Sequence, residues 1–431
     1  MHGCNSGLRA AERQFSLDKV LKLHGPAGLF KDRKKHPFCW GVLEECNLNA
    51  EKCPIDVITF HRKGDGGKAE QIVRGSQELI NEVFGEFKNL TRLQYSNTEA
   101  DPIKKWSEPR AFQTDVRYAA ILTETVMQHW QAIFNGSMGN LESISHDNSF
   151  LNYYPNVFTQ RTLLARFQMN NTTPKHLQFV QKPVYSAFGL LGNFGEYAGE
   201  MKEYFKENIS VVVSTNGGEG SFYSCIIITS HIDAENFTGS TEILEFIISN
   251  LPQSESLSYF VEAIDNKRTN PSLVYENSGS KSFPDVNDFK AMRAEGNPVI
   301  LEQPNKVADG KILFNSQLDL PFVISIRICS HKIKRPKKIT NLRLRIVNEQ
   351  EILLFWSDSF YKKRCIKTYE IFFKYSQENY HKIETNHIPF LYHQFHHTIP
   401  GCFKVRSKDI LGRFSKLSKK LCYTGSERKL L

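Results

Sequence analysis

One unit recurs through the first 194 residues and limits the folds open to them: a short apolar run ends in polar residues, and a helical stretch follows. IDVITFHRKG (55–64) alternates apolar and polar and ends in His61, Arg62 and Lys63. The next stretch spaces Ile72, Val73, Ile80, Val83, Phe84 and Phe87 as one face of a helix. TRLQYSNTEADP (91–102) is a second run, and TDVRYAAILTETVMQHWQAIF (114–134) a second helix, opened by Thr114 or Asp115 as N-cap. NLESISHDNSF (140–150) repeats the strand signal, VLKLHGPAG (20–28) precedes the series, and KPVYSAFGLLGNFGEY (182–197) reads as a closing helix. Strands alternating with helices imply a parallel sheet. In such folds the carboxyl ends of the strands carry the chemistry, and HRK, NTEAD and SHDN all fall there. Four strands make half of an eightfold β/α barrel.

The pattern changes after residue 194. NISVVVSTN, YSCIIITSHI, LSYFVEAID, KILFNSQL and LPFVISIRIC are β-branched or aromatic runs separated by turn residues, which predicts an antiparallel β-sandwich over 195–332. DVNDFKAMRAEG interrupts it with a helix. Residues 333–431 resemble a fibronectin type III module. Trp356 lies on the second strand, and Val405, Arg406, Asp409, Gly412 and Ser415 fall in the order typical of its late strands. Trp356 reads as core.

Composition narrows the function classes. The chain has 431 residues, room for about two to four domains. No run approaches the roughly 18 apolar residues that cross a bilayer, so no membrane partner is expected. The opening MHGCNSGLRAAERQF lacks a signal-peptide core, which reads as a cytosolic protein or a chain without its natural N-terminus. Net charge is +9, densest from Lys332 onward in KIKRPKK and RFSKLSKKL. Such runs are solvated faces or a site for a polyanion. No zinc-finger or RNA-binding signature supports nucleic acid. The nine cysteines form no CxxC pair, so neither a metal nor another cofactor is expected. HQFHHT (393–398) offers His393 and His397 on one face without a third ligand, and is read as surface. Sequons stand at Asn89, Asn135, Asn170, Asn171, Asn208 and Asn236.

Glu99 is either a solvated loop residue or a catalytic carboxylate. Lys63, His146 and Asp147 share its rim if the strands are parallel, and carboxylates with a cation at such a rim suit glycoside hydrolysis. Alternation sends Arg62 opposite to His61 and Lys63, so at most two of the three face the site. Lys63 is the better choice for a fixed positive charge; otherwise it is a surface lysine. Arg161 follows Asp147 by fourteen residues. It could hold an anionic substrate group through its planar fork, or pin the loop by a salt bridge to Asp147.

TFHRKG, YSNTEADP, SHDNSFLNYYPNVFTQRTLLARFQMNNTTPKHLQFVQKPV and FWSDSFYKKRCIKTYEIFF resemble glycoside hydrolase family 39, in its α-L-iduronidase branch. The resemblance runs over nearly the whole chain. It implies a retaining hydrolase that removes terminal α-L-iduronic acid from dermatan and heparan sulfate in the lysosome. The implied fold is the C-terminal half of a (β/α)8 TIM barrel (1–194), a β-sandwich (195–332) and a fibronectin type III-like domain (333–431). Glu99 matches the nucleophile, and Lys63, Asp147 and Arg161 match substrate-binding positions. Asn170, with Asn135, matches glycosylation sites, and Cys365 and Cys402 match a disulfide pair. The implied partner is a sulfated glycosaminoglycan, and a homodimer is admitted. The chain departs from the family where Lys105 replaces the glycine before Trp106. It also contains no Asn-Glu-Pro, the motif of the family's acid/base glutamate; Ser107-Glu108-Pro109 is no substitute. The first four barrel strands and a substrate-binding histidine are expected to be missing. The chain alone is therefore expected to be inactive or nearly so, and the competing class is a non-catalytic glycan-binding protein derived from the enzyme.

Overall fold

The computed structural model describes residues 2–15, 21–65, 68–103, 108–146, 152–173, 175–194, 202–204, 209–216, 222–230, 240–253, 256–348, 351–359, 365–375, 378–387, 392–395 and 400–424. Two compact units emerge, one built mainly from residues up to Pro109 and from 121–146, the other mainly from 110–120 and from 152 onward.

The first unit begins with α1 (His2–Gln14) and alternates β1 (His24–Gly28), α2 (Pro37–Leu48), β2 (Val57–Phe60), α3 (Glu70–Glu86), β3 (Gln94–Asn97), α4 (Val116–Phe134) and β4 (Leu141–Ile144). The four strands form one sheet in the order β1-β2-β3-β4, and every pair is parallel. All four residues of β2 are buried, as a strand covered on both faces requires. Helix α3 turns Ile72, Leu79, Ile80 and Val83 inward at spacings of three, four and seven. Leu79, Ile80 and Val83 join a core with Trp40, Leu43, Ile58, Phe60, Tyr95 and Leu141.

The second unit opens with an antiparallel hairpin, β5 (Leu164–Met169) and β6 (His176–Gln181), followed by α5 (Pro183–Leu191). Residues 152–194, which the sequence pattern grouped with the parallel strands, thus belong to this unit. Phe158, Phe167 and Val180 pack with Tyr275, Phe289 and Met292, at least 95 residues later. Strands β7 (Lys202–Tyr204), β8 (Ile209–Asn216), β9 (Tyr223–Ser230), β10 (Ser240–Ile248) and β11 (Leu257–Asp265) lead to α6 (Pro271–Asn277) and α7 (Val286–Ala294). Strands β12 (Val299–Lys306), β13 (Ile312–Leu320) and β14 (Phe322–Ser330) complete an antiparallel sheet β12-β11-β14-β9-β8-β7 and the pair β10-β13. Phe314 and Leu318 of the pair pack on Ile228, Val261, Ile324 and Ile326 of the larger sheet.

At the C-terminal end, β15 (Thr340–Asn348), β16 (Glu351–Ser357) and β19 (Tyr392–Phe395) form one sheet. The other contains β18 (His381–His387), β17 (Ile366–Lys374), β20 (Gly401–Asp409) and β21 (Leu421–Tyr423), in that order. Trp356 is buried between them, edge-on to Tyr369 at 5.4 Å, as a core residue.

The disulfides correct the expected Cys365–Cys402 bridge. Cys402 pairs with Cys422, its direct cross-strand neighbour on β21. Cys365, which precedes β17, pairs with Cys329 at the end of β14. Sequence position placed both cysteines beside strands of one sheet, but strand registry, invisible in the sequence, decided which thiols meet. A third bridge joins Cys46 and Cys53.

Candidate active site

Strands β2 and β3 run side by side in register, with Phe60 opposite Asn97. Whatever follows these two residues therefore leaves the sheet together at its carboxyl edge. Asn97 controls the exit. Its buried side chain accepts from the Arg62 N–H at 3.0 Å and the Glu99 N–H at 3.3 Å. Its amide nitrogen donates to the Arg62 carbonyl at 2.9 Å and the Ser76 hydroxyl at 3.3 Å. One side chain thus takes the place of a strand partner for Arg62 and fixes the start of the Glu99 loop.

Held this way, the His-Arg-Lys triplet splits by parity. The Arg62 guanidinium donates to the carbonyls of Leu29, Phe30 and Gly75 at 3.2–3.4 Å, and burial pushes its pKa down. It is a brace inside the unit. His61 and Lys63 point to Glu99. Lys63 Nζ lies 2.5 Å from one carboxylate oxygen and His61 Nδ1 3.5 Å from the other. Lys63 also reaches Asp101 at 3.7 Å. The Gly64 N–H donates to the Asp101 carbonyl, and a Cβ at Gly64 would stand 2.5 Å from the Pro102 oxygen, so only glycine lets the two loops close up.

Exposure assigns the roles. The Glu99 side chain is 25% exposed, that of Lys63 10%, and that of Asp101 0%. Glu99 can touch a ligand, whereas Asp101 anchors Lys63 from beneath. A charge-assisted bond of this length orients the carboxylate. His61 is the site residue that sequence reasoning did not select. The signal was there, since it shares the parity of Lys63.

The end of β4 also meets this corner. The Ser145 N–H donates to the Asn97 carbonyl at 3.0 Å, and the Ala100 N–H to the Ser145 carbonyl at 2.7 Å. Asp147, two residues on, lies outside the described residues. Arg161 is buried in the second compact unit, so its expected role toward the Glu99 site stays a proposal. Asn135 and Asn170 are both exposed, Asn170 in the turn between β5 and β6. No group of three or more metal-ligating side chains occurs among the described residues, and no described helix is long and apolar enough to cross a membrane.

Comparison with known proteins adds three findings. The family description "Glycosyl hydrolases family 39" matches residues 3–312, and "Alpha-L-iduronidase C-terminal domain" matches 340–425. The α-L-iduronidase of Drosophila melanogaster is 35% identical over 425 residues, covering 93% of this chain and 66% of that protein. The human α-L-iduronidase is 28% identical, covering 95% of this chain and 65% of its own length. The chain thus spans about two thirds of the length of these relatives. A solved bacterial orthologue of the human enzyme superposes with a TM-score of 0.79 at 20% identity, over 98% of this chain and 73% of that one, which speaks to the fold. With a family match over nearly three quarters of its length, this chain belongs to glycosyl hydrolase family 39.

Proposed function

We propose that this chain carries the nucleophile side of a retaining glycosidase that removes terminal α-L-iduronic acid from dermatan and heparan sulfate. The observation that carries the reading is the Glu99 carboxylate, partly exposed at a strand end, paired with Lys63 and with His61 Nδ1 at 3.5 Å. In this reading the parallel sheet is the C-terminal half of a (β/α)8 barrel. The two C-terminal sheets, β15-β16-β19 and β18-β17-β20-β21, divide their strands as a fibronectin type III-like domain does. A lysosomal setting and glycans on the exposed Asn135 and Asn170 belong to the same proposal.

Glu99 attacks the anomeric carbon, the glycosidic bond breaks, and a glycosyl ester forms on the carboxylate. Ester formation removes the negative charge that occupies Lys63. The ammonium, still anchored by Asp101, then becomes available to the uronate carboxylate of the bound sugar. Arg161 and Asp147 are the further substrate-binding positions. A retaining enzyme needs a second carboxylate about 5–5.5 Å from the nucleophile as general acid. Asp101 is too deeply buried to serve, and the sequence contains no Asn-Glu-Pro. The chain alone should therefore lack the general-acid contribution, about 10²–10⁴-fold in rate.

An activated 2-fluoro-iduronide with a dinitrophenolate leaving group needs no acid, and tests the nucleophile separately. The expected result is a covalent sugar on the peptide holding Glu99, seen by mass spectrometry and absent in Glu99→Gln. A label on another residue, or none, overturns the assignment. The second reading, a glycan-binding protein without turnover, is favoured by the basic excess from Lys332 onward. It expects heparin retention indifferent to Lys63 or Arg161 and no label on Glu99.

A further inference from the structure

The outer face of the C-terminal sheet carries a row of cations seated on aromatic rings. Along β20, Phe403, Val405 and Ser407 point into the core, so Lys404, Arg406 and Lys408 share the opposite face. Two residues of strand separate each from the next, a pitch of about 7 Å. None of the three stands loose. Lys404 lies 4.4 Å over the ring of Tyr380, which Lys374 also approaches at 5.7 Å. Arg406 lies 3.9 Å over Phe414 and 5.0 Å from Phe372, and Lys408 is 5.3 Å from Phe414. Cation–π contact holds each head in place while leaving its charge unneutralised.

Acidic groups offset this only in part. Glu370, directly across from Arg406 on β17, binds Arg406 at 2.7 Å and Lys382 at 3.8 Å. Glu384 is exposed on the edge strand β18. Lys404, Lys408 and Lys374 have no acidic partner among the described contacts. Lysine side chains usually lose much rotamer freedom when they bind an anion; here the rings restrict them in advance, so less is lost.

We propose that this face, centred on Lys404, Arg406 and Lys408, is a second binding site for a sulfated glycosaminoglycan chain, separate from the Glu99 site. It rests on the glycosaminoglycan reading above for its choice of polymer. A linear polyanion along β20 would meet a fixed cation every second residue. Sulfated glycan fits better than nucleic acid because the cations cover the ring faces. A single-stranded nucleic acid is gripped largely by bases stacking on open aromatic faces, and here Tyr380 and Phe414 each already hold two of the cations within 6 Å of the ring. The site would hold the polymer by its length while its non-reducing end is processed elsewhere.

The test uses the full chain and a size-defined heparin oligosaccharide. The double variant Lys404→Gln/Lys408→Gln keeps the Arg406–Glu370 bond intact. Lys34→Gln/Lys35→Gln removes the same charge from an exposed turn of the first unit. The first should bind heparin roughly tenfold more weakly with a shallower salt dependence, and the second within about twofold of wild type. Acetylation of the wild-type protein gives an independent readout: bound oligosaccharide should protect Lys404, Lys408 and Lys374. Equal loss in the two variants, no protection of these lysines, or displacement of heparin by equimolar single-stranded DNA overturns the proposal. The fluoro-iduronide label on Glu99 should be the same in both variants. Loss of heparin binding with labelling retained thus separates this surface from the catalytic reading.

Discussion

If Asn97 is the device that brings Lys63 to Glu99, replacing it with alanine should disturb both loops while leaving the sheet intact. Asn97→Ala removes bonds of 3.0 and 2.9 Å to the backbone of Arg62 and longer ones of 3.3 Å to the Glu99 N–H and the Ser76 hydroxyl. Ser76 keeps its bond to the Ile72 carbonyl, so its loss is small. Each backbone group left without a partner costs about 1–3 kcal/mol. Two groups of Arg62, partly relieved by water, give about 3 kcal/mol, or about two decades in the local opening equilibrium. Hydrogen exchange resolved to residues 57–64 and 94–101 reads this directly. The Arg62 and Glu99 amides should exchange about a hundredfold faster, while Ile58 and Tyr95, inside the strands, change little. Labelling of Glu99 by the activated fluoro-sugar should slow at least about tenfold, because a misplaced nucleophile loses its near-attack geometry. Asn97→Asp keeps both acceptor bonds but sets a carboxylate against the Arg62 carbonyl, so it should fall between wild type and alanine. Exchange at Arg62 and Glu99 within threefold of wild type would refute the clamp.

Two further expectations concern the second unit. Lys182 is fully buried, donates to the Gln160 carbonyl at 2.7 Å and lies 5.7 Å over Tyr118. Burial pushes its pKa down to about 7, against a smaller upward pull from Asp115. The unfolded chain, with a lysine pKa of about 10.4, then binds a proton that the fold has released, so stability should rise with pH from about 7 to about 10. In urea titrations the gain in unfolding free energy from pH 7 to pH 9 should be larger in wild type than in Lys182→Met by about 2 kcal/mol. Separately, the Cys329–Cys365 bridge spans 36 residues. On the chain-entropy account Cys365→Ser should cost about 4 kcal/mol, and reductant should cost the wild type more, because it opens the Cys46–Cys53 and Cys402–Cys422 bridges as well; a variant with an unchanged urea midpoint would contradict the assigned pairing.

Much of the fold was legible because period and polarity agree along the chain. The four buried residues of β2 and the three- and four-residue spacing in α3 are properties of contiguous sequence, and they gave the parallel layer correctly. The β5–β6 hairpin was not legible in the same way. Its strands are short, and what fixes them is packing of Phe158 and Phe167 against Tyr275 and Phe289, a contact with no local signature. The disulfides failed for a related reason. Cys402 and Cys422 meet because β20 and β21 are adjacent in a particular register, and registry depends on the whole sheet.

The site divides along the same line. Parity along a strand is local, so the separation of Arg62 from His61 and Lys63 is legible in the sequence itself. What parity cannot say is which side faces the carboxylate, because that depends on the neighbouring strand's register. Phe60 opposite Asn97 supplies it, and the same register lets Asn97 reach Arg62 across 35 residues of sequence. A clamp of this kind leaves no motif, since any Asn ending any strand looks alike. It also explains why Asp101 proved structural though it stands two residues from Glu99. The loop that presents Glu99 turns back against Gly64, carrying Asp101 beneath Lys63. Of the two carboxylates in NTEAD, the one with solvent on its open side is the one able to touch a ligand, and the other holds the lysine beside it.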